Sequence, residues 1–147
     1  MSKRTSNKRP MYSNVIYRSA AIAATQTDYD IHTYAERETF TRLVGNVAFA
    51  TDASTDVAVH WVVWLDRDGT STLALSGGSN NIVGRQAESI LAQGTFVGSA
   101  TGQSNVIAVD VKGMRKVQDE DKIVFSYIGS TATGLISYAF KVFHKES

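Results

Sequence analysis

The chain has no cysteine and only one proline in 147 residues. The first absence excludes a disulfide framework, a thiolate metal site and a thiol nucleophile, and it removes cysteine usage as a guide to redox compartment. Histidine is nearly as scarce, and His32, His60 and His144 show no recurrent ligand spacing. Long apolar runs are missing too. The longest, such as residues 57–65, fall far short of the roughly 20 residues a membrane helix needs. The N-terminus is basic with no apolar core behind it, so no signal peptide and no anchor is read. Serine and threonine are plentiful, yet no nucleophile elbow occurs, and Gly77-Gly78 alone does not make a phosphate-cradling loop.

Acid is what residues 1–27 lack. They hold Lys3, Arg4, Lys8, Arg9 and Arg18 and neither Asp nor Glu, a local charge of +5. The other 10 of the 15 Lys and Arg face all 14 Asp and Glu, so the rest of the chain carries −4 of the overall +1. A mildly acidic body with a basic arm points to a polyanionic partner for the arm. Residues 1–10, MSKRTSNKRP, contain no large apolar side chain after Met1 and are expected to be disordered in isolation. Residues 11–24 gain Tyr12, Val15, Ile16, Tyr17 and Ile22. They read as a first strand or an extended arm along another surface, with a short helix over 20–24 as the alternative.

What is present is strand after strand. VAVHWVVWLDRDG, residues 57–69, places Val57, Val59, Trp61, Val63 and Leu65 on one face and Ala58, His60, Val62, Trp64 and Asp66 on the other. One side wants a core; the other is half apolar and wants a partial cover. Residues 28–34 alternate, with Tyr29, Ile31 and Thr33 opposite Asp28, Asp30, His32 and Tyr34. Residues 41–51 put Leu43, Val47 and Phe49 together, and Gly45 marks a bulge or a tight crossing. Residues 72–75 pair briefly and 76–81 form a loop. Over 86–97, Ile90, Ala92, Gly94 and Phe96 favour a strand over a helix. Residues 105–112 align Ile107, Val109 and Val111 before a turn at Gly113-Met114-Arg115-Lys116. Residues 122–128 and 135–144 follow, the last aligning Ile136, Tyr138, Phe140 and Val142. Eight strand runs and at most one short helix predict an all-β antiparallel sandwich or barrel. The final run is a core element, so its truncation is expected to be destructive and that of the N-terminus is not.

The remaining candidate chemistry is thin. Asp66-Arg67-Asp68-Gly69 has its glycine at the fourth position instead of the sixth of a calcium loop, and Gly77 stands where the twelfth-position Glu belongs, so a plain turn is the better reading. Asp119-Glu120-Asp121 reads as a solvated hairpin tip sooner than a cation site. His60, between Val59 and Trp61, reads as a packing histidine sooner than a general base. The expectation is no enzyme, no cofactor and no metal. The basic arm is the positive signal, since Lys3, Arg4, Lys8, Arg9 and Arg18 can each neutralise a phosphate, and such contacts become strong when many arms act together.

A basic arm leading into an all-β body, the strand VHWVVWLDRDG, and DVKGMRKVQDEDKIVFSYIG followed by a terminal strand resemble the small jelly-roll capsid proteins of circular Rep-encoding single-stranded DNA viruses. Satellite plant virus coat proteins are similar in plan. The likeness spans most of the chain by layout, and residues 59–69 and 109–128 by local pattern. It implies an eight-stranded antiparallel jelly-roll sandwich over residues 25–147 with a flexible basic N-terminal arm over 1–24. It also implies self-assembly of about sixty copies into an icosahedral shell, packaged single-stranded nucleic acid held non-specifically by the arm, no membrane partner, and residence in the virion, with the host nucleus or cytoplasm as the place of assembly. The arm departs from the family in being shorter and poorer in arginine. Sixty arms bring roughly 300 positive charges against one negative charge per nucleotide; either Arg37, Arg42 or cations help, or the shell is not a tight packager. The alternative is a β-sandwich ligand-binding module, carbohydrate-binding or trimeric and tumour-necrosis-factor-like, which needs an aromatic platform; Trp61 and Trp64 point to opposite faces, which counts against one.

Overall fold

The computed structural model describes residues 11–22, 24–50, 57–67, 75, 89–98, 104–130 and 134–146. Their eight strands are β1 (Met11–Ala21), β2 (Thr27–Thr33), β3 (Glu38–Ala50), β4 (Val57–Asp66), β5 (Ile90–Gly98), β6 (Ser104–Val117), β7 (Lys122–Gly129) and β8 (Leu135–Glu146). They form two four-stranded antiparallel sheets, ordered β1-β8-β3-β6 and β2-β7-β4-β5. Apart from the β4–β5 pair, successive strands alternate between the sheets, which is the jelly-roll winding. Among the described residues no helix is long and apolar enough to cross a membrane.

Period-two patterning builds the core. Val59, Trp61, Val63 and Leu65 of β4, Ile123, Phe125 and Tyr127 of β7, Leu43, Val47 and Phe49 of β3, and Ile136, Tyr138, Phe140 and Val142 of β8 are buried in one cluster between the sheets. Phe125 stands at its centre, stacked on Tyr138 at 4.6 Å and on Trp61 at 6.2 Å between ring centroids. Gly45 is the tight crossing: a Cβ there would stand 2.0 Å from the Ala139 carbonyl oxygen of β8.

Several sequence expectations need correction, and local irregularities explain three of them. In β2 the register shifts between Asp30 and His32, and the extra residue turns His32 and Tyr34 towards the rings of each other and of His144. The clean alternation therefore ends at Ile31. In β5 a shift opposite Val63 and Trp64 moves Ile90 away from the Phe96 face, onto a second cluster. Residues 113–116 do not turn. β6 continues to Val117 because residues 38–40 of β3 remain available as partners, and the mismatch is absorbed in the pairing between Phe40 and Arg42. The turn falls at 119–120, where Glu120 adopts φ 73°.

The outer side of β4 has the cover that its half-apolar pattern asks for. The cover comes from within the chain, because Val62, Trp64, Val124 and Ile128 are buried with Leu75, and Ile90 packs against them. A polar chain closes the cover. Trp64 Nε1 donates to Ser126 Oγ at 2.8 Å, Ser126 Oγ donates to Asp28 Oδ1 at 2.6 Å, and Gln26 Nε2 donates to the same oxygen at 2.9 Å. Gln26 Oε1 then accepts the Leu75 N–H at 2.7 Å. Of the brief pairing expected over 72–75, only Leu75 lies among the described residues, and the loop at 76–81 lies outside them. Of the readings open for 11–24, residues 11–21 form a strand, the edge of the first sheet.

Candidate nucleic-acid interface

Antiparallel pairing decides which strand ends share a pole of the sandwich. Met11 pairs with His144, His144 with Phe40, and Phe40 with Arg115. In the other sheet Thr33 and Asp66 both pair with Lys122. The Tyr34 N–H donates to the Asp121 carbonyl and the Glu120 N–H to that of Tyr34, binding the corners of the two sheets together. One pole thus gathers the starts of β1, β3, β5 and β7 and the ends of β2, β4, β6 and β8.

Lys3, Arg4, Lys8 and Arg9 lie outside the described residues, and they are covalently joined to β1 at this pole through Met11. Arg18 lies further along β1, its backbone opposite Tyr138. The two auxiliary arginines part company. Arg42 donates from Nε and Nη2 to both oxygens of Asp110 at 2.9 and 2.7 Å, and this bond holds the Asp110 carboxyl below the usual carboxylate range. A polyanion would have to displace Asp110 to reach it. Arg37 is exposed at the corner between β2 and β3, within the pole that carries the arm.

The Asp119-Glu120-Asp121 tip is only half solvated. Asp119 and Glu120 are exposed, but Asp121 is fully buried and its Oδ2 accepts from the Gln118 N–H at 3.1 Å and from Arg67 Nη1 at 3.2 Å. A carboxylate with no access to water needs such partners, so Asp121 fastens the ends of β4 and β6 to each other. Among the described residues no group of three or more His, Asp and Glu side chains is placed to hold a metal ion.

Sequence reasoning missed a buried titratable cluster at the same pole. His144 Nδ1 lies 2.8 Å from Glu38 Oε1, both nearly buried, and the His32 ring is 5.4 Å from that of His144 and edge-on to Tyr34 at 4.5 Å. Burial, and next to it the His144 ring, push the His32 pKa down against the pull of Glu38. Burial pushes the Tyr34 phenol up, with Glu38 and Asp121 adding to it. Glu38 and His144 are 106 residues apart, so only the β3–β8 pairing could have revealed them. His60 is the packing histidine expected: it is buried, its Nδ1 is 3.1 Å from Thr95 Oγ1, and burial lowers its pKa.

No protein-family model matches the chain, and no curated protein does. Among solved structures, a chain from infectious bursal disease virus, Gt strain, is similar over 94% of this chain at 9% identity and a TM-score of 0.43. This chain spans 32% of the length of that one. A chain of Desmodium yellow mottle tymovirus is similar over 93% of this chain and 88% of its own, at 8% identity and a TM-score of 0.38. A chain of Bacillus endospore appendages, which form disulfide-linked pili, is similar over 96% of this chain and 94% of its own, at 15% identity and a TM-score of 0.39. Likenesses of this size carry no functional argument.

Proposed function

We propose that the chain is a structural, non-enzymatic capsid subunit of the small single-stranded DNA virus type, which self-assembles, in about sixty copies, into an icosahedral shell. In this reading it resides in the virion and holds packaged nucleic acid non-specifically through Lys3, Arg4, Lys8, Arg9 and Arg18. The supporting observation is the junction of an acid-free basic segment with the first strand of a jelly roll whose remaining charge is net negative. A body of that sign repels phosphate at long range, so a cationic arm at one pole is the part suited to hold it.

Arm removal tests this division of labour. Deleting residues 1–10 leaves both sheets with all their strands, so circular dichroism and particle formation are expected to be retained, while the nucleic acid that co-purifies falls several-fold. Unchanged nucleic-acid content would remove the arm from the mechanism. The ligand-binding alternative loses its platform, because Trp61 and Trp64 are 2% and 4% exposed and belong to different clusters. Among the side chains described, no aromatic ring is exposed.

A further inference from the structure

At the pole where β1 begins, a cleft of about 570 Å³ is lined by Arg37, Arg67, Lys116, Val117 and Gln118. Three of the five are cations, and no carboxylate is among the described lining residues. Their origins explain the convergence: Arg37 comes from the β2–β3 corner, Arg67 from the end of β4, and Lys116 to Gln118 from the end of β6. Arg67 is held in place, since its Nη1 donates both to the Lys116 carbonyl oxygen and to the buried Asp121, while its side chain stays 46% exposed. Among the described residues, the side chains of Arg37 and Lys116 have no ion-pair partner. The cleft thus pairs one oriented guanidinium with two exposed cations, a combination suited to the oxygens of a phosphodiester.

We infer that this cleft is a second, folded phosphate-binding site for the single-stranded nucleic acid that the arm holds, and that it grips the backbone where the strand leaves the arm. The inference deepens the nucleic-acid part of the proposed function and rests on it. Two independent observations carry it: the cationic lining, with no carboxylate among its described residues, and the attachment of the arm to the same pole through Met11, the partner of His144. The arm supplies charge; the cleft adds an oriented guanidinium. A polyanion bound by both gains affinity, because the second contact is made at high effective concentration.

The experiment uses full-length, unassembled subunits and a fluorescein-labelled thymidine oligonucleotide, with anisotropy followed against salt. Arm charge is removed by K3Q/R4Q/K8Q/R9Q/R18Q, cleft charge by R37Q/K116Q, and Arg67 is left alone because Asp121 depends on it. The arm-neutral protein is expected to keep salt-dependent binding, with a log–log slope near −2 for three phosphate contacts at about 0.7 each. Adding R37Q/K116Q should reduce that slope by about 1.4 and weaken binding at least tenfold, with unaltered thermal melting. R37K/K116R should restore it. An arm-neutral protein whose slope does not change on R37Q/K116Q overturns the site, as does one that binds inorganic phosphate but no oligonucleotide. Particle formation is read separately by electron microscopy: absent particles with retained cleft binding would remove the shell and leave the site.

Discussion

A Cβ on Gly94 would stand 2.8 to 2.9 Å from three atoms of the Trp61 indole, closer than packed atoms approach. Trp61 and Gly94 are cross-strand partners on β4 and β5, so the missing side chain is the space the indole occupies. Gly94→Ala is therefore expected to destabilise the protein by about 1 to 3 kcal/mol through overpacking, read from urea denaturation; a change within about 0.5 kcal/mol would mean the ring is not locked. The inward direction of Trp61 was legible from alternation, but its debt to Gly94 was not, because pairing across strands is invisible in a single strand's pattern. Histidine makes the same point. His32 and His60 have pKa values lowered in the fold, His32 by burial and then by His144, with Tyr34 and Glu38 also facing it, and His60 by burial. The unfolded chain then takes up protons near pH 6.5 that the folded one resists, so stability is full above that pH and declines as pH falls below it. The melting temperature should drop between pH 7.5 and pH 5.5, and by less in His32→Gln; an equal or higher value at pH 5.5 contradicts this.

At the scale of elements, the eight strands were legible because most carry a long period-two pattern, as in Ile136, Tyr138, Phe140 and Val142 of β8. What stayed hidden lies at register shifts. The shift after Asp30 brings His32 to the buried cluster, that beside Trp64 sends Ile90 to the outer face, and that after Phe40 lets β6 run past Gly113. Such irregularities depend on the length of the partner strand, which no local composition encodes. The cover over β4 was illegible for a related reason. Leu75 ends a stretch that reads as a brief pairing, and its seat against Val62, Trp64, Val124 and Ile128 is set by a tertiary contact through Gln26. Leu75→Ala should cost about 2 kcal/mol, measured by denaturant titration, and expose Trp64 to fluorescence quenching. Unchanged stability and quenching would mean the outer face is not sealed by this residue.

For the molecule as a whole, charge separation and topology act together. The basic excess lies in residues 1–27, and β1 begins at the pole where Arg37, Arg67 and Lys116 converge. The charge asymmetry could be read from the sequence. The convergence could not, since its three cations come from the β2–β3 corner, the end of β4 and the end of β6, which only the winding of the sheets brings to one pole. The named auxiliary Arg42 proves to be bound to Asp110, whereas Arg37 stands in the cleft, a distinction that only the register of β3 on β6 could draw. Negative-stain electron microscopy of the purified protein, with the 260 to 280 nm absorbance ratio read on the same fraction, tests the central claim most directly. Uniform spherical particles with a raised ratio are the predicted result; a monomer or trimer without particles would contradict it.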